Sequence, residues 1–274
     1  MGQFYQVSIV LTFYLPLIDF QYINVICLSI LQNKINVIRS LNLENKSSNK
    51  FQNLNLQIKS DIPFAEPFNI KISNIDEGQI IEIPTQININ QQYILQLSEK
   101  IEGNLSIIIS SESETLVEKL FPITILPADY WPGSSFLPEL TACYVTPNVI
   151  QVKQIISKAS KILQNFSSDA RFTGYDSRNI NHVRLIVASI YEALKELNIS
   201  YQLPDKSFTE IGQRIRFADD VVNIGSGTCI DTALLFASCL EAANLYPLII
   251  LINGHAFVGV HLVPETFQDT VCDD

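Results

Sequence analysis

The chain is poor in the residues that build metal and disulfide frameworks. It has three histidines, one methionine and no Cys-x-x-Cys pair. No ligands stand at zinc-site spacing, so neither a metal nor another cofactor is expected. Its five cysteines (27, 143, 229, 239 and 272) are an odd set with no paired spacing. They do not read as a disulfide framework, and a reducing cytoplasm suits them best. Basic residues are also scarce, 18 Lys and Arg against 28 Asp and Glu, for a net charge of −10. Phosphate binding needs clustered cations, so no direct nucleic-acid binding is expected of this segment.

The apolar opening, residues 1–32, lacks the basic flank of a secretory signal, because no Lys or Arg precedes Lys34. Pro16 and Asp19 interrupt it, leaving no apolar run of the roughly 18 residues that a membrane span needs. Gln6 stands where a myristoylation signal wants Ser or Thr. No membrane partner is therefore expected. Two readings of this segment stay open, a misassigned start or a first strand packing onto the next domain. Asn-x-Ser triplets at Asn45, Asn104, Asn165 and Asn198 carry little weight in a chain so rich in Asn and Ser.

What is present suffices for two domains. Across 274 residues, 47% are hydrophobic and 17% charged, a globular balance. Residues 33–126 alternate with period two: Leu54, Leu56 and Ile58, then Phe68, Ile70 and Ile72, Ile81 and Ile83, Ile87 and Ile89, and Leu105, Ile107 and Ile109. Short half-buried strands separated by turn residues predict an immunoglobulin-like β-sandwich without a catalytic constellation. Residues 127–147 form a Pro/Gly-punctuated linker carrying Trp131, the only tryptophan. Thr146-Pro147 reads as cap and first position of a helix. Val149, Val152, Ile156, Ala159, Leu163 and Phe166 give that helix a 3-4-3-4-3 stripe. A second helix over about 178–197 carries Val183, Ile186, Ile190, Leu194 and Leu197, with His182 expected on its exposed side.

The chemistry concentrates between residues 225 and 260. Gly225 and Gly227 precede Thr228, and Thr-x-x-Asp from Thr228 to Asp231 reads as a capping box. Cys229 then falls in the first helical turn, where unpaired N–H groups favour a thiolate. The helix is apolar nearly all round, so it is expected to be central, and Cys239 within it reads as a core residue. Asn244 is a left-handed terminator with Pro247 beyond it. Leu248 to Ile252 read as a buried strand, Asn253-Gly254 as a hairpin turn, and His255 as the first residue of the return strand. Alternation puts His255, Phe257, Gly259 and His261 on one face, but six residues span about 20 Å. His255 and His261 therefore cannot both serve Cys229, and His261 reads as structural or exposed.

These residues carry a resemblance. Gly227-Thr-Cys-Ile-Asp-Thr-Ala-Leu-Leu-Phe-Ala, with Pro247-Leu-Ile-Ile-Leu-Ile and Gly254-His-Ala-Phe-Val-Gly-Val, resembles the transglutaminase-like (papain-like) thiol-hydrolase superfamily. More narrowly, the chain looks like the N-terminal region of large bacterial helicase-related proteins. Leu126-Pro-Ala-Asp-Tyr-Trp-Pro-Gly, Pro138-Glu-Leu, Thr146-Pro-Asn, Ser207-Phe and Gly212-Gln-Arg-Ile-Arg extend it. The resemblance implies an α+β thiol domain over residues 148–274, with Cys229 as nucleophile and His255 as base. An acyl-transfer site also needs donors for its oxyanion. Gln213 is the first candidate and Trp131 the second, although Gln213 reads at least as well as a surface loop amide and Trp131 reads better as a linker anchor against a core. Arg214 and Arg216 are expected to pair locally with Asp219 and Asp220.

The acid that orients the histidine belongs, by the same resemblance, on a following strand. Asp269, Asp273 and Asp274 are the acids available, and none has strand-like sequence after it. The expectation is a thiol domain incomplete at its C-terminal end, with the acid and a helicase partner or fused motor beyond residue 274. Two functions stay open. One is a cysteine-dependent acyl-transfer enzyme, a peptide or isopeptide hydrolase or a transamidase, acting on a protein or peptide. The other is a non-catalytic module scaffolding a nucleic-acid-processing or defence assembly.

Overall fold

The computed structural model describes residues 5–9, 16–203 and 212–272. It is mixed α+β, 27% helix and 32% strand, with the two kinds of element unevenly divided between two compact units, Met1–Pro132 and Gly133–Asp274.

The first unit is built from strands. Its order is β1 (Tyr5–Ile9), β2 (Leu17–Tyr22), β3 (Val25–Ile26), helix α1 (Leu28–Gln32), β4 (Ile38–Glu44), β5 (Phe51–Ser60), β6 (Phe68–Ile75) and β7 (Ile80–Glu82). Helix α2 (Gln91–Leu95), β8 (Ile101–Ser110), β9 (Thr115–Ile125) and the short β10 (Tyr130–Trp131) complete it. One sheet runs β1-β2-β4-β7 and the other β3-β9-β8-β5-β6. Period-two sequence buries one face of each. Ile18, Phe20, Tyr22, Leu41 and Leu43 of the first sheet share a single core with Leu54, Leu56, Ile58, Ile107, Ile109, Phe121 and Ile123 of the second. The Phe20 ring stacks on Tyr22 and meets Phe121 edge-on. Residues 17–32 are thus part of this core, as β2, β3 and α1. The Ile87–Ile89 run is no strand, although Ile89 makes an isolated bridge to Ala65.

The second unit packs helices around one of their number. Helices α3 (Ile150–Leu163) and α4 (Ile180–Lys195) are followed by short strands β11 (Ser200–Tyr201) and β12 (Gln213–Arg214). Helix α5 (Ala218–Ile224), strand β13 (Ser226–Gly227), helix α6 (Cys229–Ala242) and the antiparallel strands β14 (Pro247–Ile252) and β15 (His255–Val260) follow. The buried residues Val152, Ile155, Ala159 and Leu163 of α3, Val183, Ile186 and Ile190 of α4, and Leu235, Cys239 and Leu240 of α6 form one cluster. Helix α6 is buried on most of its circumference, as its near-uniform apolarity requires.

Three expectations about these helices need correction. Helix α3 begins at Ile150, with extended Val149 as its cap, and not at Thr146-Pro147. Pro147 and Asn148 form a turn instead, and the Thr146 amide bonds the Ser238 hydroxyl of α6 at 2.9 Å. Ile155, and not Ile156, is the buried member of that turn, and Phe166 lies past the helix end at 71% exposure. His182 is buried, 6% exposed, with Nε2 at 3.2 Å from the Arg171 carbonyl. A backbone partner let an imidazole enter a helix face whose neighbours in sequence are polar.

Candidate thiol site

Cys229 is the first residue of α6, and the turn before it is built as the sequence predicts. Helix α5 ends on Gly225, whose φ of +70° is a left-handed conformation that suits glycine. Gly227 sits where an added Cβ would come within 3.1 Å of the Asp231 Cβ, so its missing side chain lets β13 press against the helix. The capping box is complete: the Thr228 hydroxyl accepts from the Asp231 amide at 3.4 Å, and Asp231 Oδ2 accepts from the Thr228 amide at 2.9 Å. Strand β11 runs parallel to β13, with the Gln202 amide donating to the Gly227 carbonyl at 2.9 Å.

The other end of α6 is closed as expected by Asn244, whose φ is +57°, before Pro247 opens β14. Fourteen helical residues advance about 21 Å, and six strand residues return about 20 Å. Packed along α6, the hairpin therefore carries its Asn253-Gly254 tip back toward the helix end that bears Cys229. Only Gly254 of this turn has positive φ, so the turn is not the doubly left-handed type I′. Ile252 pairs with His255, which places the histidine at the tip.

The two candidate catalytic side chains differ sharply in environment. Cys229 is 3% exposed, and its thiol hydrogen-bonds to nothing among the described residues. His255 is exposed, its ring 6.3 Å from that of Phe257. Within β15 the buried Ala256 and the cluster members Val258 and Val260 lie on the inner face. Alternation sends His255, Phe257 and Gly259 to the outer face, where they meet Ile252, Ile250 and Leu248 across the pair. Cys229 opens α6 and His255 opens β15, and no hydrogen bond joins the two side chains among the described residues. His261 is half-buried against Phe267, its amide bonded to the Tyr246 carbonyl at 3.1 Å.

Gln213 is the most unusual polar group of the site. It is 3% exposed, and neither Nε2 nor Oε1 has a partner among the described residues. An unbonded buried amide costs stability of about 1–3 kcal/mol, so Gln213 stands open to a partner not among these residues. Three residues on, the Arg216 amide donates to Asp231 Oδ1 at 2.9 Å and its guanidinium Nη1 donates to Oδ2 at 3.3 Å. Three residues span at most about 11 Å, which bounds how far Gln213 stands from the Arg216 amide. This is also a correction, since Arg216 pairs with the buried Asp231 and not with Asp219 or Asp220. The sequence offered the capping box but no sign of its second duty toward Arg216, fifteen residues earlier.

Trp131 belongs to the first unit, 1% exposed, with its Nε1 unpartnered among the described residues. Asp269 is exposed, whereas Asp273, Asp274 and the Ser207-Phe208 motif lie outside the described residues. Cys239, mid-helix and fully buried, has its thiol pushed up to about 12 by burial. Among the described residues no group of His, Cys, Asp and Glu could hold a metal ion, and no helix is long and apolar enough to cross a membrane. Neither protein-family models nor curated proteins give a match to this chain.

Proposed function

We propose that this protein is a cysteine-dependent acyl-transfer enzyme of the transglutaminase-like kind, acting on a peptide or isopeptide carbonyl. The observation that carries the reading is the orphaned Gln213 amide, buried and three residues before Arg216, whose own amide bonds Asp231 in the first turn of the helix that Cys229 opens. Cys229 sulfur attacks the carbonyl carbon, and the electron pair of the C=O bond moves to oxygen. The Cys229 backbone N–H, unpaired at the helix start, and Gln213 Nε2 stabilise that oxyanion. His255 takes the thiol proton and returns it to the departing amine, leaving an acyl-enzyme for water or a second amine to resolve. In this reading the exposed His255 ring, on the outer face at the hairpin tip, must come round toward Cys229 when substrate binds. In the same reading the first unit is an immunoglobulin-like sandwich that recruits partners in a helicase-associated, cytoplasmic bacterial system.

One observation favours the alternative of a non-catalytic module: His255 faces away from the core helix and has no carboxylate partner among the described residues. Iodoacetamide labelling at pH 7, read by peptide mass spectrometry, separates the two. The enzyme reading expects nearly buried Cys229 to outpace exposed Cys272, with that lead lost in His255→Ala. Labelling of Cys229 slower than Cys272, and indifferent to the substitution, would sink the catalytic reading and leave the scaffold.

A further inference from the structure

The Asp231 carboxylate is fully enclosed, 1% exposed, and it serves two segments at once. Oδ2 accepts from the Thr228 amide at 2.9 Å, on the residue directly before Cys229. Oδ1 accepts from the Arg216 amide at 2.9 Å, and the Arg216 guanidinium reaches Oδ2 at 3.3 Å. A helix cap alone would use only the first of these bonds. Gly227 completes the arrangement, since a Cβ there would stand 3.1 Å from the Asp231 Cβ and press on that side chain. The acid therefore ties the turn that bears the nucleophile to Arg216, two residues past the strand that bears the orphaned Gln213 amide.

We propose that Asp231 is a positioning residue for acyl transfer, fixing the Gln213 donor relative to the Cys229 sulfur. The role rests on the catalytic reading above. Asp231 touches neither substrate nor sulfur and acts through Gln213. Its removal should therefore impair steps that build an oxyanion and spare steps that do not. Two reagents make that distinction at the same sulfur. p-Nitrophenyl acetate acylates Cys229 through a tetrahedral oxyanion: the C–S bond forms, the C–O bond to p-nitrophenolate breaks, and the thiol proton passes to His255. Iodoacetamide alkylates by direct displacement of iodide and forms no oxyanion.

The test compares both rates at Cys229 in wild type, Asp231→Asn, Gln213→Ala and the double variant, with amide exchange of residues 212–216 and 227–229 read in parallel. Asp231→Asn should slow acylation about 10- to 100-fold, as misplacement of a catalytic group does, while alkylation changes less than about threefold. Gln213→Ala should reproduce that split, and the double variant should be no worse than Gln213→Ala, because both act through one donor. Exchange at the Arg216 and Thr228 amides should quicken in Asp231→Asn and stay unchanged in Gln213→Ala. If Asp231→Asn slows acylation and alkylation equally, or leaves acylation intact, the positioning role falls and the catalytic reading stands. A wild type that is not acylated at Cys229 overturns the catalytic reading and the role with it. Should Asp231→Asn not fold, Arg216→Ala removes only the guanidinium contact and must show the same split in weaker form.

Discussion

The Thr146 amide donates to the Ser238 hydroxyl at 2.9 Å, and Ser238 in turn donates to the Leu234 carbonyl at 2.7 Å, so one serine at 0% exposure joins the approach to α3 to the middle of α6. Removing it leaves a partly buried N–H without its partner. Ser238→Ala is expected to lower stability by about 1–3 kcal/mol, read as the shift in the urea midpoint at unchanged slope. A variant as stable as wild type would mean that the Thr146 amide finds water instead.

Much of this unit is legible in sequence because its signals are local. Thr228 with Asp231, Asn244 before Pro247, and Asn253-Gly254 each act over three or four residues, and each shapes the backbone where expected. The first unit is similarly readable through alternation, and Leu54, Leu56 and Ile58 all reach its core. What the sequence does not display are bonds across distance: Ser238 to Thr146, Asp231 to Arg216, and His182 to the Arg171 carbonyl. Each is a polar group whose partner is set by packing. The orphaned state of Gln213 is invisible for the same reason, since only burial turns a loop amide into an anomaly.

Gly225 and Gly227 should fail in different ways. At Gly225 a Cβ meets nothing within 4 Å, so Gly225→Ala costs only the left-handed backbone, about 1–2 kcal/mol. Gly225→Asn should recover part of that, because Asn tolerates this conformation. At Gly227 the φ angle is ordinary and the obstacle is Asp231, so Gly227→Ala should disturb the site itself. Gly227→Ala is thus expected to alter Cys229 labelling where Gly225→Ala does not. The same labelling change in both variants would count against this distinction.

Asn45, the first residue of an Asn-x-Ser triplet, is built into a buried network. At 0% exposure its Nδ2 donates to the Asn49 and Ile75 carbonyls at 2.7 and 3.1 Å, and its Oδ1 accepts from the Ser47 amide and hydroxyl at 3.0 and 2.7 Å. Asn45→Asp keeps the acceptor side and turns an anionic oxygen toward two carbonyls. It should destabilise the first unit more than Asn45→Ala does, by about 3 kcal/mol or more. Urea unfolding followed by circular dichroism orders the two variants, and the reverse order would refute this account of the network.

Cys239 makes the sharpest pH prediction. Its native thiol is raised to about 12, against 9.0 for an unperturbed one, because burial disfavours the thiolate. Below about pH 9 the thiol is protonated whether the chain is folded or not, and its contribution to stability is fully present. Between about 9 and 12 the unfolded chain releases this proton while the native one keeps it, so that contribution drains away as pH rises. Tyrosines and lysines titrate in the same range, so the informative quantity is a difference. Cys239→Ala should be less stable than wild type at pH 7, because it opens a cavity, and the gap should narrow steadily from pH 9 to pH 11. Native Cys239 should also resist iodoacetamide at pH 9 under conditions that label exposed Cys272. A gap that stays constant with pH would mean that the site opens to water and the thiolate forms in place.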